Sequence, residues 1–529
     1  MQQPRNVPVD AVPADVDVVI VGGGHNGLTA AAYLSRAGRS VLLLERSDHL
    51  GGASVSAEAF PGMGAQLSRY SYLVSLLPQQ IIDDLGLRIH LARRRYSSYT
   101  PKPGTDQGLL VDHGDASATR ASFERIGAGS DVDGWDRLYA RTTRLAQALW
   151  PSVTGPLPRR RDVRASIADD SIMRDFLERP LGEVIETSIA DDLVRGVVLT
   201  DGLISTYAAA HDDDLQQNIC FLYHVIGGGT GDWDVPVGGM GSVSGELERA
   251  AREGGADLRT DATVLSVSDG SVTWRSTAGD EARVSARHVL WAAAPGALDD
   301  VMGTGRGPSE GAQVKINLLL SRLPKLRDAS VASNAAFGGT FHINETYSQL
   351  ESAYRAAHSG NLPDPLPAEI YCHSITDPSI LSPQLQQSGA QTLTVFALHA
   401  PDRLLEGADQ DAERVRFERA TLDSLSSVLA EPIEDAVLRM PDGQLCIETK
   451  TTRDLQDALN MPGGNIFHGP LSWPFAEDEE DLSDAAARWG VQSAYSGVLL
   501  AGAGSRRGGG VSGLGGYSAA RAVLETWNG

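Results

Sequence analysis

A strand-like run that ends in a glycine-rich turn constrains this chain more than any other feature. Residues 18–24 read Val-Val-Ile-Val-Gly-Gly-Gly, Gly27 follows, and an alanine-rich stretch then predicts a helix over Leu28 to Ala37. Gly22 permits the sharp turn, Gly24 lets the backbone approach a pyrophosphate, and Gly27 lets the helix pack closely on the sheet. Because a helix N-terminus attracts phosphate, this order predicts a binding unit for the ADP half of a dinucleotide.

An acidic residue completes the unit. Gly38 predicts the end of the helix, Ser40 to Leu44 predict a second strand, and Glu45 ends that strand 21 residues after Gly24. A carboxylate at this position accepts hydrogen bonds from ribose hydroxyls and disfavours the 2′-phosphate of NADP, which leaves FAD or NAD. The doublet Gly51-Gly52 favours FAD, because large flavoproteins use such a turn beside the pyrophosphate. The alternative is a glycine turn that binds nothing.

The length and charge of the chain limit its architecture and its partners. A chain of 529 residues predicts two or more domains, since single cores stop growing at roughly 250–300 residues. The net charge of −23 opposes binding of nucleic acid and of anionic lipid over most of the surface. A small apolar patch could still contact a membrane peripherally or take up a hydrophobic substrate. No apolar run reaches the length of a membrane-spanning helix, so no transmembrane segment is predicted.

The cysteines and the first residues favour a cytoplasmic location. Cys220, Cys372 and Cys446 are widely separated, and no C-x-x-C pair is present, so buried thiols in a reducing compartment are predicted. The stretch from Met1 to Asp15 has no long apolar run and does not resemble a signal peptide.

The predicted fold class is α/β with an α+β insert. Residues 1–14 are predicted to be a flexible tail. A Rossmann-like FAD-binding domain is predicted from three separate segments, 15–95, 236–300 and 488–529, because strand and helix patterns return there. A substrate-binding or cap domain, with a mixed sheet and helices, is predicted from residues 96–235 and 301–487. Within these segments, residues 256–267 predict one strand and residues 411–430 predict one helix.

A second glycine-rich turn lies near the end of the chain. It runs from Gly502 to Gly513, after an apolar strand and before an alanine-rich helix. Such a turn can present helix N–H groups to an electron-rich ligand. In a flavoprotein that ligand would be the edge of the isoalloxazine that gains negative charge on reduction. A flexible surface loop and an Arg-Gly segment that binds nucleic acid are the alternatives.

Three sequence blocks together resemble the phytoene desaturase-like family of FAD-dependent oxidoreductases. The first runs from Gly22 to Gly52 and continues through Phe60-Pro61-Gly62 and residues 68–73. The second is Trp233 to Gly241. The third combines Gly463 to Gly469 with Gly508 to Gly513. Within this family the chain is most similar to the branch of pyridine nucleotide-disulfide oxidoreductase domain-containing protein 2, with the desaturase-type carotenoid ketolases nearby.

The resemblance implies FAD bound in extended form, with a second domain covering the reactive face of the flavin. It implies that Val264 meets adenine through its backbone, and that three residues of the late turn lie by the flavin ring. With the glycine turn itself, the predicted cofactor-binding residues are Gly22, Gly24, His25, Asn26, Gly27, Glu45, Arg46, Gly51, Gly52, Val264, Gly502, Gly510, Val511 and Gly513.

Four side chains are candidates for the catalytic site. His468 lies in a segment that the family places near the flavin, and Arg69 and Tyr70 follow the first excursion from the FAD domain. Trp233 begins the second block. For each, a structural role in a loop or in packing is the alternative. No metal site is predicted, because the acidic runs at residues 131–134 and 212–214 lack the full ligand pattern of a calcium loop.

The predicted function is FAD-dependent desaturation or oxidation of a hydrophobic or conjugated small molecule, by transfer of a hydride or of two electrons to flavin N5. The electron acceptor stays open between oxygen, a quinone and another oxidant, and the sequence leaves the oligomeric state open. One alternative is a redox-neutral flavin-dependent isomerase. The other is a cofactor-free carrier of lipidated partners.

Overall fold

The computed structural model describes residues 14–268, 270–305, 307, 309–407 and 409–528. All but Ala14 of the predicted tail lies outside the described residues. The strands are β1 (Asp15–Val21), β2 (Val41–Leu44), β3 (Ser56–Glu58), β4 (Gln66–Ser68), β5 (Leu91–Ala92), β6 (Tyr96–Pro101), β7 (Gly108–Asp112), β8 (Val235–Pro236), β9 (Asp257–Arg259), β10 (Ala262–Ser268), β11 (Ser271–Ser276), β12 (Glu281–Trp291), β13 (Val314–Leu320), β14 (Thr340–Ile343), β15 (Ala368–Tyr371), β16 (Gln391–Ala397), β17 (Ile447–Lys450) and β18 (Val498–Leu500).

The helices alternate with these strands and also form a long insert. They are α1 (His25–Arg36), α2 (Gln79–Leu85), α3 (Ala116–Arg125), α4 (Val132–Leu149), α5 (Arg160–Ile167), α6 (Asp170–Met173), α7 (Leu181–Ser188), α8 (Asp192–Leu199), α9 (Gln216–Val225), α10 (Met240–Glu253), α11 (Pro295–Met302), α12 (Ser333–Ala336), α13 (Tyr347–His358), α14 (His373–Thr376), α15 (Pro383–Ser388), α16 (Gln410–Ser427), α17 (Thr452–Leu459), α18 (Ala485–Arg488) and α19 (Leu514–Asn528).

The first sheet has seven strands, in the order β10-β11-β12-β1-β2-β9, with β18 also paired to β12. The pairs among β12, β1, β2, β9 and β18 are parallel. Residues 18–20 and 42–43 are fully buried, because strands covered on both faces are apolar on both faces. Helix α1 packs against β1 and against α10 and α19.

The second sheet also has seven strands, in the order β17-β13-β16-β15-β14-β6-β7. The pair β14 with β6 is parallel and the others are antiparallel. Helices α3 to α9 lie between β7 and β8 in the chain, and their apolar side chains form a separate core. The predicted α/β fold class with a second, mixed sheet is confirmed. The division into domains at the boundaries given above stays a prediction.

Three local predictions differ in detail from the structure. Helix α1 begins at His25 rather than at Leu28, because the extended backbone of Gly24 serves as its N-cap. The single strand predicted over residues 256–267 is two strands, β9 and β10, because Asp261 adopts a φ of 57° and turns the chain between them. The helix predicted over 411–430 is α16, which ends at Ser427.

Among the residues that the structure describes, none of the helices combines the length and the apolar character needed to cross a bilayer.

Candidate active site

A large cavity lies between the two sheets and encloses about 1720 Å3 of empty space. One end is at the carboxyl ends of β1 and β2, where open α/β sheets bind ligands. The other end is covered by Phe396 and Leu398, in and just after β16. We call this space the main cavity. The predicted site residues that line it are Gly22, Gly24, His25, Asn26, Glu45, Arg46, Gly52, Tyr70, Trp233, His468, Gly510 and Val511.

The first glycine turn leaves room for a ligand only on the side of the main cavity. Gly22 has a φ of 105°, which favours glycine. A Cβ on Gly27 would lie 2.1 Å from the carbonyl oxygen of Gly22, so α1 begins directly against the turn. A Cβ on Gly24 would meet only the Cα of Gly52, at 4.0 Å. The backbone at Gly24 is therefore open to a bulky group such as a pyrophosphate.

Glu45 links the turn to the end of β2. Its Oε2 accepts a 2.7 Å hydrogen bond from the Gly23 amide, and its Oε1 accepts a 2.8 Å hydrogen bond from the Ser47 amide. Each carboxylate oxygen has a second lone pair, so the side chain can also accept from ribose hydroxyls. The backbone bonds fix its orientation towards the cavity.

The doublet Gly51-Gly52 packs against the first turn. The Gly51 amide donates a 2.8 Å hydrogen bond to the Gly23 carbonyl, and both glycines have positive φ, 115° and 56°. Arg46 lines the main cavity, and its guanidinium donates to the carbonyls of Asp457 and Ala458, at 3.1 and 2.7 Å. These bonds tie the nucleotide end to α17, which belongs to the inserted part of the chain.

Six predicted residues do not line the main cavity. Gly27, Gly51, Gly502 and Gly513 are instead points of close packing, where an added Cβ would lie within 3 Å of a neighbouring atom. Val264 is half-buried in β10, where it packs against a cluster of buried apolar residues from β1, β2 and β12. Arg69 forms an ion pair with Glu448 of β17. The structure therefore does not place Arg69 or Val264 in the cavity wall.

The two glycine turns meet, although they are far apart in sequence. The ring of His25 contacts the Gly510 carbonyl through Nε2, at 3.1 Å. The Asn26 amide donates to the Gly508 carbonyl, at 3.4 Å, while its Oδ1 is buried without a partner among the described residues. The start of α1 and the late turn thus form one continuous wall of the main cavity.

His468 is a buried imidazole in this wall. Its φ is 67°, and its Nδ1 has no hydrogen-bond partner within the described part of the chain. Burial, and to a lesser extent the nearby His25, lower the pKa of His468 to about 4. Burial also lowers the pKa of His25 to about 4, against the opposing contact with Gly510. Both rings are therefore neutral near pH 7.

Trp233 and Tyr70 both line the main cavity and are held by different contacts. Trp233 donates from Nε1 to the His224 carbonyl, at 3.1 Å, and stacks on the His224 ring with centroids 5.0 Å apart. Tyr70 lies beneath the ammonium of Lys450, 5.4 Å from its ring centre. The structure thus brings His468, Tyr70 and Trp233 into one cavity, and their catalytic roles stay a prediction.

Several residues of the wall were not identified from sequence. Gln313 lies just before β13 and donates from Nε2 to the Gly464 carbonyl at 2.8 Å, while Ser205 donates to its Oε1. Ile204, Phe396 and Leu398 add apolar surface. These residues come from separate elements and form no local motif, so sequence spacing carries no signal for them.

A second cavity, of about 1080 Å3, adjoins the main cavity. Tyr72, Leu73, His224 and Trp233 line both. Its wall is polar and includes Arg94, Asp201, His342, Glu369 and Tyr371. Burial raises the pKa of Glu369 to about 8, although the hydrogen bond from Tyr371 opposes the rise. Burial likewise raises the pKa of Asp201 to about 7, opposed by Arg94.

The three cysteines do not form a redox-active pair. Cys220, Cys372 and Cys446 are all buried and free. Burial raises the pKa of the Cys220 thiol to about 12, so it is a poor nucleophile near neutral pH.

Comparisons with known proteins identify the family. The profile of the family described as flavin containing amine oxidoreductase matches residues 27–437. An uncharacterized protein of Mycobacterium tuberculosis is 50% identical over 523 residues, which cover 96% of this chain and 97% of that protein. Pyridine nucleotide-disulfide oxidoreductase domain-containing protein 2 of Rattus norvegicus is 29% identical over 576 residues, covering 97% and 94%. The predicted similarity to that branch is confirmed.

A solved structure shows the same fold. Cyclohexylamine oxidase from Brevibacterium oxydans superimposes with a TM-score of 0.55 at 16% sequence identity, and the match covers 97% of this chain and 100% of that one. The open backbone at Gly24, the oriented Glu45 carboxylate and the unpartnered Asn26 oxygen fit the adenylate end of a flavin dinucleotide. The chain therefore belongs to the flavin-containing amine oxidoreductase family, and its cofactor is FAD.

Proposed function

We propose that this FAD-dependent oxidoreductase removes a hydride from a neutral, hydrophobic or conjugated small molecule. The observation that carries the proposal is the distribution of charge in the main cavity. Among the described residues that line it, Glu45 is the only carboxylate, and it lies at the nucleotide end. At the substrate end, around His468 and Phe396, the lining residues that the structure describes offer no anionic partner for an ammonium group.

A charged amine is therefore a poor match for this cavity, despite the family's description. An ammonium taken out of water without a counter-ion pays a large desolvation cost. A hydrocarbon chain or ring instead gains free energy from each buried CH2, at about 0.8 kcal/mol. Leu76, Ile204, Phe467 and Trp233 supply the apolar surface against which such a molecule would pack.

The chain's own residues would prepare the substrate and take up a proton. FAD, when bound, accepts the hydride and its two electrons. The apolar wall excludes water and holds the reacting C–H bond in place. The neutral His468 ring would take the proton released from the neighbouring carbon, at its unpartnered Nδ1. The products are an alkene and a reduced flavin, which oxygen or a quinone would reoxidise.

Anaerobic flavin bleaching with matched probes tests the proposal. Limonene and cyclohexylamine share a six-membered ring, but only cyclohexylamine is a cation near neutral pH. We expect limonene or a longer polyene such as phytoene to bleach the flavin absorbance, with a product lighter by two hydrogens. Bleaching by cyclohexylamine alone would overturn the proposal. A product of unchanged mass, formed without an electron acceptor, would indicate the isomerase instead.

A further inference from the structure

We infer that His342, Glu345 and Glu369 form a binding site for one divalent first-row metal ion in the wall of the second cavity. One donor atom from each side chain lies within 4.8 Å of the others. The three residues are 4%, 1% and 2% exposed. The site is separate from the proposed oxidation and does not depend on it.

The backbone explains how the three side chains converge. His342 of β14 and Glu369 of β15 are directly paired in the antiparallel ladder, so their side chains emerge on the same face of the sheet. Asn344 follows β14 with a φ of 55°, and this left-handed turn brings Glu345 next to them. The ladder and the turn are backbone features that bring the donors together without any ligand.

Supporting hydrogen bonds orient two of the donors. The Thr100 hydroxyl lies 3.1 Å from His342 Nδ1, which leaves Nε2 directed towards Glu369, 4.0 Å from Oε1. The hydroxyls of Thr200 and Tyr371 donate to Oε1 and Oε2 of Glu369. Outer hydrogen bonds of this kind are what fix the ring and carboxylate orientation of metal ligands.

The surroundings of the Glu345 carboxylate indicate that a cation binds here. Within the described part of the chain, neither of its oxygens has a partner at hydrogen-bonding distance. The Thr200 hydroxyl, which donates to Glu369, is a nearby donor that only partly offsets the rise in the pKa of Glu345 caused by burial. A buried carboxylate without partners is costly. Its surroundings are polar and already contain donors, but those donors are used by Glu369. A cation bound between the two carboxylates would satisfy both oxygens of Glu345.

The balance of charge among the nearby side chains also favours binding of a divalent cation. Glu345, Glu369 and Asp201 interact with one another. The only nearby cation that the described residues provide is the buried guanidinium of Arg94. With all three carboxyls ionised, two negative charges are left over, and one divalent ion balances them. The alternative is neutralisation by two bound protons.

The donor set suggests which ions fit. One imidazole nitrogen and two carboxylate oxygens suit Zn2+ or Mn2+, and less well a hard ion such as Ca2+. His342 and Glu369 line the second cavity, so the remaining coordination positions face open space. Water or an anionic group of a ligand can occupy them.

Metal titration of the untagged holoprotein tests the site. The protein is treated with EDTA, and Zn2+ and Mn2+ are then titrated separately by calorimetry, with bound metal counted by mass spectrometry. We expect one equivalent of at least one ion per chain. Glu345→Gln and His342→Asn should each weaken that binding by at least tenfold, as removal of a ligand exceeds the roughly 10- to 100-fold effect of losing an outer-sphere partner.

A matched control removes a buried histidine elsewhere. His399 is 1% exposed and lies outside both cavities, so His399→Asn should leave the stoichiometry and affinity unchanged. Retained FAD absorbance shows that each variant is folded. Absence of the bound equivalent in the wild-type protein, or binding that Glu345→Gln and His342→Asn leave unaltered, overturns the inference and assigns the neutralisation to protons.

Discussion

Replacing Glu45 by alanine tests the nucleotide end of the main cavity most directly. The side chain holds two backbone amides, those of Gly23 and Ser47, at 2.7 and 2.8 Å. Under the ribose assignment it also accepts from the cofactor. Glu45→Ala therefore removes both a support of the glycine turn and a direct contact with FAD.

The size of the effect follows from these bonds. A hydrogen bond to a charged group contributes about 1.5–3 kcal/mol. Loss of one such contact to the ribose should weaken FAD binding by roughly 10- to 150-fold, at about 1.4 kcal/mol per tenfold change. Loss of the two amide contacts adds to this through the turn, because the Gly23 and Ser47 amides would need new partners in a half-buried site.

The assay is FAD occupancy of the purified variant, from the ratio of flavin to protein absorbance, followed by Kd of the apoprotein from flavin fluorescence quenching. Glu45→Gln is the matched variant, since it keeps the shape and one carbonyl acceptor but not the charge. We expect affinity in the order wild type, Glu45→Gln, Glu45→Ala. Equal occupancy and equal Kd for wild type and Glu45→Ala would refute the ribose assignment.

Three further predictions concern packing, catalysis and pH. Gly27→Ala should destabilise the protein by about 1–3 kcal/mol and lower FAD occupancy, because its Cβ would lie 2.1 Å from the Gly22 oxygen. The control is Gly245→Ala in α10, whose Cβ meets nothing within 4 Å. That variant should leave the Tm in thermal unfolding unchanged or higher. His468→Ala should retain FAD but slow anaerobic bleaching by a reactive substrate, by roughly 10²- to 10⁴-fold in stopped-flow measurements; an unaltered rate removes it from the reaction. Burial raises the pKa of Glu369 from 4.5 to about 8, so its contribution to stability is full below about pH 4.5 and is lost as the pH rises through about 8. The Tm of the metal-free protein should therefore fall less over this window in Glu369→Gln than in wild type, and parallel curves would contradict the raised pKa.

The nucleotide unit could be predicted from sequence because its determinants are local. A few tens of residues contain the turn after β1, the start of α1 and the acid after β2. Each of these positions requires a particular residue type for a steric or electrostatic reason. The late turn was predictable for the same reason. What the pattern could not show is that the His25 ring contacts the carbonyl of Gly510, since that contact depends on how the whole chain returns to the first sheet.

Arg69 and Tyr70 show where sequence proximity fails. Both follow β4 in a bend, and both approach β17: Arg69 pairs with Glu448, and Tyr70 lies beneath Lys450. Tyr70 nevertheless lines the main cavity, whereas Arg69 does not. The sequence made both residues candidates, because their position after the first excursion identifies a segment and not which side chain reaches the cavity.

The acids of the second cavity show a stronger limit. His342 and Glu369 are neighbours only through the ladder between β14 and β15, and Asp201 comes from the helical insert. Such a group has no spacing that a sequence pattern could detect. The sequence analysis did not identify this group, because its members come together only through long-range pairing of strands in the complete fold.

The separation of the two cavities has a consequence for the proposed chemistry. Reduced flavin carries additional negative charge, so a nearby carboxylate would oppose reduction. The chain keeps Glu369 and Asp201 in the second cavity, behind the wall that Tyr72 and Trp233 share with the main cavity. The neutral ring of His224 belongs to that shared wall, and the neutral ring of His468 lies on the side of the main cavity. Burial lowers the pKa of each to about 4. The same wall that excludes water from a hydrophobic substrate thus also keeps buried acids away from the site where negative charge must develop.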